Sequence, residues 1–211
     1  MIPSKEEMKE ALRKRVGNEI QEKFEAATVA VCGLGGLGSN IAISLARAGV
    51  GKLILIDFDK VDLSNLNRQQ YKADQIGMEK TKALEENLKE MTPYIEVETH
   101  FEKAGEENYE RLLDQADVIC EAFDVAEAKS NLVNFVLENM PGKDLVAASG
   151  MAGLGSGNDI RTRKVTKHFY LCGDGVSEVE EGEGLFAPRV MLCAAHQALT
   201  VLQILAGQFD S

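Results

Sequence analysis

Short apolar runs alternate with amphipathic stretches over residues 28–150, and this alternation predicts strands separated by helices. Continuous apolar runs, typical of buried strands, occur at 29–32, 53–56, 117–123 and 145–149. Apolar and polar residues alternate strictly over 95–101, which predicts a strand with one solvent-exposed face. Helices are predicted over 36–48, 78–91, 107–115 and 126–140. This order indicates an α/β protein with a Rossmann-like, doubly wound, mainly parallel sheet and helices on both faces.

The C-terminal segment follows a different pattern. Short runs at 160–165 and 167–172 predict two antiparallel strands that extend the sheet. The acidic, glycine-rich stretch from Gly173 to Gly184 is expected to be a flexible loop, and Pro188 begins a final apolar helix through Ala206. Because no Pro- or Ser-rich linker divides the chain, we expect one domain over 1–211, with an N-terminal helix (4–25), a core (28–150), and the extension, loop and final helix (151–211).

The N-terminal helix is predicted to be amphipathic. Ser4 and Glu7 have the spacing of a capping box. Apolar residues then recur at helical spacing on one face, at Met8, Leu12, Val16, Ile20 and Phe24. Such a stripe is seldom left in water, so it must pack against its own domain or against another subunit.

A glycine-rich turn joins the first predicted strand to the first core helix. Its glycines are Gly33, Gly35, Gly36 and Gly38. In a strand–turn–helix context these residues permit a sharp turn, close approach of a phosphate to the backbone, and tight packing of helix on strand. Asp57 ends the second strand about 20 residues later, where ribose recognition places a carboxylate. The turn therefore predicts a nucleotide site; the alternative is a glycine turn that only packs helix on strand.

Further candidate ligands follow the second and fourth strands. Residues 58–71 form a polar segment whose Asn, Arg and Gln side chains can orient phosphates and ribose, and Arg68 can bind a phosphate through two nitrogens. Lys80 lies in the first turn of the next helix, where an anionic ligand would relieve its unfavourable interaction with the helix dipole. Asp124 follows a central strand, at the end where open α/β sheets bind ligands. Its alternative role is the N-cap of the next helix.

Composition and charge narrow the class of protein. A net charge of −11 argues against nucleic acid or an acidic membrane as a partner. The four cysteines are scattered and form no C-x-x-C pair, which fits a reducing compartment and predicts no zinc site. We see no signal peptide and expect no 18-residue apolar span, so we predict a soluble, cytoplasmic protein. His196 and Cys193, three residues apart, are expected to be core residues.

Several of these segments together resemble the ThiF/MoeB/HesA family, the ATP-dependent activators of ubiquitin-like proteins. The similarity covers the glycine loop, the Asp57-Phe58-Asp59 strand end, the run from Ser64 to Gln69, Lys80 and Asp124. The segments 169–175 and 187–189 look like the short ThiF branch associated with thiamine biosynthesis.

The resemblance implies a role for each matching residue. Asp57 would hold the ribose hydroxyls, Asn65, Arg68 and Lys80 the triphosphate of ATP, and Asp124 the magnesium ion. The nucleotide-binding set implied in full is Gly33, Gly35, Gly36, Gly38, Asp57, Asp59, Asn65, Arg68, Gln69 and Lys80. In the family a further arginine reaches the triphosphate from the N-terminal region of the partner subunit, which implies a homodimer. Arg15 is our candidate for this arginine, and Arg13 is the alternative. Arg68, Lys80, Asp124 and Arg15 would then be the catalytic residues.

The implied activity is adenylation of a small sulfur-carrier protein. The carrier's C-terminal Gly-Gly carboxylate would attack ATP and release pyrophosphate. The family's zinc-binding C-x-x-C pairs are absent here, and transfer of the acyl group or sulfur to Cys172 is an open alternative. Other functions also remain open: an NAD-dependent oxidoreductase, a tRNA-modifying dehydratase of the same superfamily, and a nucleotide-bound scaffold without turnover.

Overall fold

The computed structural model describes residues 2–178 and 184–209. Its centre is a seven-stranded sheet in the order β3-β2-β1-β4-β5-β7-β6. The strands are β1 Thr28–Cys32, β2 Lys52–Asp57, β3 Glu96–Phe101, β4 Val118–Glu121, β5 Asp144–Ala148, β6 Arg161–Lys164 and β7 Phe169–Gly173. All neighbouring strands pair in parallel except β6 and β7, which are antiparallel. The predicted Rossmann-like α/β sheet with an antiparallel extension is confirmed.

Seven α-helices accompany the sheet in the described part of the chain. They are α1 Lys5–Val16, α2 Asn18–Ala26, α3 Gly36–Ala48, α4 Lys80–Met91, α5 Tyr109–Leu113, α6 Ala126–Asn139 and α7 Ala187–Ala206. Helices α3, α4 and α7 contribute to the apolar core on one face of the sheet, and α5 and α6 to the core on the other. Helices on both faces bury the central strands, which explains their continuous apolar runs.

The N-terminal segment differs from the single helix expected over 4–25. Gly17, at φ +90°, separates α1 from α2, because a left-handed residue ends the helical hydrogen-bond pattern. The capping box of Ser4 and Glu7 is present. Phe24 is buried in the fold, whereas Val16 at the end of α1 is exposed. The apolar stripe is therefore divided between two helices and partly covered by its own chain.

Helix α7 contradicts one expectation from the sequence. By length and composition it could span a membrane, although half of its apolar window is buried inside the fold, as in the core helix of a globular protein. The statement that the chain has no such apolar span was therefore wrong. Cys193 of this helix is buried, as expected for a core residue. His196 is only partly buried, and its Nδ1 lies 3.1 Å from Oγ1 of Thr162 in β6.

The acidic loop predicted from Gly173 to Gly184 lies only partly within the described residues, since 179–183 fall outside them. Its first turn is anchored by Asp174. One oxygen of this carboxylate accepts the backbone N–H groups of Val176 and Ser177, and the other accepts an N–H of Arg189. Three hydrogen bonds to Asp174 thus hold this first turn, and the flexibility expected of the loop stays a prediction.

Candidate nucleotide site

The glycine loop lies between the end of β1 and the start of α3, and it leaves no room for a side chain at Gly33 or Gly38. A Cβ on Gly38 would lie 1.8 Å from the carbonyl oxygen of Gly33, and a Cβ on Gly33 would lie 2.7 Å from that of Ala122. Gly33 also has a φ of +90°, which favours glycine. The N-cap of α3 is Gly35, which has no side chain that could cap the first N–H groups of the helix. The N–H groups at the start of α3 are therefore suited to an anion.

Asp57 and Tyr71 hold this loop in place. The N–H of Leu34 donates to Asp57 Oδ2 at 2.6 Å, and the Tyr71 hydroxyl donates to the Leu34 carbonyl at 2.7 Å. Asp57 Oδ1 accepts the N–H of Asp59. Burial raises the pKa of Asp57, while the Lys80 charge and the two backbone donors oppose that effect. Each carboxylate oxygen has a second lone pair, so Asp57 can still accept a ribose hydroxyl.

Lys80 is a buried cation at the end of β2. It is 5% exposed, and its Nζ lies 2.8 Å from Asp59 Oδ2. Its backbone N–H also donates to the carbonyl of Asp59. Lys82, two residues later, is exposed and pairs with Glu85 of its own helix. The structure therefore brings Asp59 and Lys80 together, in agreement with their proposed role in one site.

Residues 62–71 lie across the glycine loop. A short 3-10 turn, Leu63–Asn65, begins the segment, and Asn65 Oδ1 accepts the N–H of Asp62. Arg68 Nη1 donates to the Ser64 carbonyl and to Asn67 Oδ1. The Arg68 side chain is within 3.4 Å of a Cβ placed on Gly36, and Gln69 Nε2 within 3.7 Å of one on Gly35.

Two polar atoms in this segment are buried without a hydrogen-bond partner among the described residues. They are Arg68 Nε and Gln69 Oε1. Buried polar groups are nearly always hydrogen-bonded, so unpaired atoms beside a glycine loop are consistent with a polar ligand that is bound there during function.

Asn40 positions Arg68 and was not identified from the sequence. Its Nδ2 donates to the carbonyls of Gly36, at 2.7 Å, and Arg68, at 3.2 Å, and its Oδ1 accepts from Gln70 Nε2. An asparagine within a helical pattern carries no signal of this role, because its partners lie about one turn away and 28 residues away.

Asp124 is exposed at the carboxyl end of β4, which lies next to β1. Its carboxylate makes no hydrogen bond or ion pair with the described residues. The N-cap of α6 is Val125, without a side-chain capping bond. The N-cap role considered for Asp124 is therefore wrong, and its carboxylate is available to a ligand.

A magnesium ion would find few protein ligands here. Within residues 2–178 and 184–209 no three His, Cys, Asp or Glu side chains are grouped as a metal site. Magnesium in nucleotide sites usually takes one or two carboxylates and completes its shell with phosphate oxygens and water. Asp124 alone fits that donor set, provided that a triphosphate supplies the rest.

The sequence did not identify Glu121 and Lys129 as site residues. Glu121 ends β4, is fully buried, and pairs with Lys129 of α6 at 3.0 Å. Burial raises the pKa of Glu121, and Lys129 opposes the rise. The sequence did contain a signal for Glu121, because it is a charged residue within the apolar run at 117–123.

The four cysteines are free and buried. Burial raises the pKa of Cys172, although hydrogen bonds with Thr162 and Thr200 oppose that effect. Burial also raises the pKa of Cys193 to about 12. Neither thiol is therefore a ready nucleophile in this conformation. The expectation that no zinc is bound stays a prediction.

Arg15 lies away from the site of its own chain. In α1, Leu12 packs near Gly49, which caps the far end of α3, and α3 is about 20 Å long at 1.5 Å per residue. Tyr94 lies just before the start of β3, and its hydroxyl donates to the Pro3 carbonyl. This contact also places the N-terminal segment at the end of the sheet opposite the glycine loop. Arg15 is exposed, and Arg13 pairs with Glu25. Neither arginine reaches the glycine loop in cis.

Comparison with known proteins decides the family. The profile described as the ThiF family matches residues 8–211. The chain belongs to the ThiF family. Among curated relatives, ubiquitin-like modifier-activating enzyme 5 of Drosophila melanogaster is 44% identical over 94 residues, which are 44% of this chain and 23% of that protein. Adenylyltransferase and sulfurtransferase UBA4 of Lodderomyces elongisporus is 28% identical over 197 residues, 90% of this chain and 42% of the relative. The chain thus spans less than half the length of these relatives.

Solved structures of ThiF-superfamily proteins share the fold. The E. coli tRNA N6-threonylcarbamoyladenosine dehydratase TcdA in complex with ATP matches with a TM-score of 0.87 and 20% identity, over 99% of this chain and 98% of that one. Its complex with AMP matches with a TM-score of 0.86 at 20% identity, over 99% and 98% of the two chains. E. coli MccB with ATP matches with a TM-score of 0.70 and 23% identity, over 91% of this chain and 59% of that chain.

Proposed function

We propose that this ThiF-family protein is an ATP-dependent adenylyltransferase that converts a carboxylate into an acyl adenylate. The observation that carries the proposal is the buried Lys80, held by Asp59 beside a glycine loop whose neighbours Arg68 and Gln69 have unpaired buried atoms. This is a cationic, hydrogen-bonding site at the N-terminus of a helix, which suits a triphosphate. It does not favour the NAD-dependent oxidoreductase that the glycine loop alone permits.

The reaction requires little covalent chemistry from the protein. An acceptor carboxylate oxygen attacks the α-phosphorus of ATP, and the bond from that phosphorus to the pyrophosphate oxygen breaks. The N–H groups at the start of α3 orient the phosphates, and Arg68 and Lys80 stabilise the charge that develops on the leaving pyrophosphate. Asp57 orients the ribose. Magnesium, held through Asp124, would supply further charge neutralisation.

The acceptor has two candidates, and the solved structures support the dehydratase better than a thiamine sulfur carrier. TcdA and this chain match over nearly their whole lengths, and TcdA is named for tRNA N6-threonylcarbamoyladenosine. The threonine of that nucleoside carries a free carboxylate, whose adenylation would make an oxygen leave easily and so permit dehydration. The net charge of −11 counts against tRNA binding by this chain alone.

The second candidate acceptor is the C-terminal Gly-Gly carboxylate of a ubiquitin-like sulfur carrier. It is supported by the identity with ubiquitin-like modifier-activating enzyme 5 and with UBA4, and by the acidic charge of the chain. For this acceptor we also predict a role in thiamine biosynthesis, a homodimer and a cytoplasmic location.

The test supplies Mg-ATP with each acceptor in turn and measures pyrophosphate release and the mass of the acceptor. The two acceptors are a Gly-Gly carrier protein and tRNA bearing threonylcarbamoyladenosine. We expect Lys80→Ala to lower the rate about 10²–10³-fold, because one contact to developing charge is lost. Lys82→Ala, two residues away and exposed, should keep the wild-type rate.

Different outcomes contradict different parts of the proposal. Mass gain of an adenylate on the carrier, or loss of water from the tRNA, identifies the acceptor. Normal turnover of Lys80→Ala at saturating ATP would contradict the site. Nucleotide binding without turnover of either acceptor would favour the scaffold interpretation.

A further inference from the structure

The turn between β4 and α6, residues 121–125, carries Asp124 and packs directly on the glycine loop. The aromatic ring of Phe123 lies 3.0 Å from a Cβ placed on Gly33, and the Ala122 carbonyl lies 2.7 Å from it. The N–H of Ala122 donates to the Cys32 carbonyl at the end of β1. Any shift of this turn therefore moves Asp124 relative to the phosphate-binding loop.

Glu121 anchors the beginning of the turn with both carboxylate oxygens. Oε1 accepts the N–H of Phe123 at 2.7 Å and lies 3.1 Å from Lys129 Nζ, and Oε2 lies 3.0 Å from the same nitrogen. Its backbone carbonyl accepts from Gln197 Nε2 of α7 at 2.9 Å. Glu121 is fully buried, and the Lys129 side chain is 25% exposed.

Lys129 closes the turn from the other side. Its backbone N–H donates to the carbonyl of Val125, and its side chain reaches back to Glu121 and to the Ala148 carbonyl at the end of β5. One residue thus binds both ends of the turn. Asp124 lies between these two anchors, and its own carboxylate makes no hydrogen bond or ion pair with the residues that the structure describes.

Stability alone does not account for a buried ion pair at this place. Removing the Glu121 carboxylate from water costs about as much free energy as its attraction to the partly exposed Lys129 returns, and an apolar pair of similar volume is often as stable or more stable. The pair does what an apolar pair cannot: it accepts a backbone N–H in the turn and ties three elements of secondary structure together.

We propose that Glu121 and Lys129 are positioning residues that hold Asp124 where it binds the magnesium ion of Mg-ATP. The proposal rests on the proposed function, since it assumes that ATP binds at the glycine loop. Groups that orient a metal ligand typically change metal affinity by about 10–100-fold when they are removed.

The experiment measures the dissociation constant of ATP by titration calorimetry, once with magnesium chloride and once with EDTA. The ratio of the two constants is the magnesium enhancement. We expect Asp124→Ala to abolish the enhancement. We expect Lys129→Met to lower it about 10-fold and to keep the wild-type ATP affinity in EDTA. Lys129→Arg, which keeps the charge and the donors, should restore most of it.

Lys143→Met is the matched control. Lys143 precedes β5 and donates to the carbonyls of Asp114 and Ala116 at the opposite end of the sheet. Lys143→Met and Lys129→Met should both lower the melting temperature, but Lys143→Met should leave the magnesium enhancement unchanged. A merely structural role for Lys129 would make the two variants alike. Should Lys129→Met fail to fold, Glu121→Gln takes its place, with the same expected direction.

The outcomes separate this inference from the proposed function. A folded Lys129→Met or Glu121→Gln protein with the wild-type enhancement, while Asp124→Ala loses it, would overturn the positioning role and leave the adenylation proposal intact. Wild-type protein without any enhancement, or Asp124→Ala with full enhancement, would also overturn it. Wild-type protein that binds no ATP in EDTA or magnesium would overturn both.

Discussion

Cys172 shows how burial decides whether a residue can react. The side chain is fully buried, with Thr162 Oγ1 at 3.5 Å and Thr200 Oγ1 at 3.9 Å from its sulfur. Burial raises the pKa of the thiol, so the thiolate that a thioester or persulfide step requires is disfavoured. The residue is a small apolar part of the core between β7 and α7 in this conformation.

We therefore expect Cys172→Ala to keep carboxylate adenylation. The variant should lose about 1–2 kcal/mol of unfolding free energy, because a small cavity is left in the core, and should release pyrophosphate at the wild-type rate. Pyrophosphate release with the acceptor that wild type uses, together with urea denaturation, checks both parts. A well-folded variant without turnover would show that the thiol takes part in the reaction.

At the scale of elements, the pair Asp174 and Arg189 joins three segments near the site. Arg189, in the first turn of α7, donates from Nη1 to the carbonyls of Gly155 and Ser156 and from Nη2 to Asp174 at 2.6 Å. The side chains are 8% and 5% exposed for Arg189 and Asp174, respectively. Val190, the next residue, lies 2.9 Å from a Cβ placed on Gly36. The pair thus joins two loops to the first turn of α7, whose Val190 lies beside the glycine loop.

This pair makes stability depend on pH in a stated direction. Burial would raise the pKa of Asp174, but hydrogen bonds from Ser177, Val176 and Arg189 outweigh it and hold the pKa well below its ordinary value. A carboxyl with a lowered pKa in the folded state adds stability above its unfolded pKa, near 3.8, and that stability is lost as the pH falls below it.

We expect Asp174→Asn to be less stable than wild type by about 3 kcal/mol at pH 7, since Arg189 is left buried without its partner. The gap should narrow as the pH falls below about 4, because wild type then loses the stability that the ionised Asp174 carboxylate provides and that the variant lacks at every pH. Urea denaturation of both proteins at several pH values measures the gap. A gap that stays constant over this range would contradict the assignment of Asp174.

At the scale of the whole molecule, α1 lies at the end of the sheet opposite the glycine loop of its own chain. Its end is partly uncovered, since Val16 is 41% exposed. If Arg15 acts on a triphosphate, it must act on that of another subunit. In a monomer, Arg15 would have no triphosphate within reach.

The prediction is a homodimer in which Arg15 acts in trans. Mixing Arg15→Ala chains with Lys80→Ala chains should recover about a quarter of the wild-type activity, because half of the dimers are mixed and each mixed dimer has one complete site. Pyrophosphate release by the mixture, with subunit exchange confirmed, is the measurement. No recovery would remove Arg15 from the catalytic set, and a monomer by light scattering would remove the arrangement in trans.

Local patterns in the sequence were sufficient for the sheet, the glycine loop and most of the candidate site. The strand, turn and helix around Gly33 could be predicted because the constraints act within a few residues: no other residue fits the close backbone contacts of Gly38, and α3 begins and ends where its glycines require. Parallel strands bring their carboxyl ends to one edge, so Asp57 and Asp124 were expected to be near the loop.

Tertiary structure alone decided what holds those residues in place. Three side chains donate hydrogen bonds to backbone carbonyls that lie 19 to 34 residues away in the chain. Asn40 donates to Arg68, Lys129 donates to Ala148, and Arg189 donates to Gly155 and Ser156. Such contacts leave no periodic pattern, because either partner alone is compatible with an exposed position. Only packing showed that Lys129 closes the turn of Asp124, that Cys172 is sealed in the core, and that Arg15 lies beyond reach of its own site.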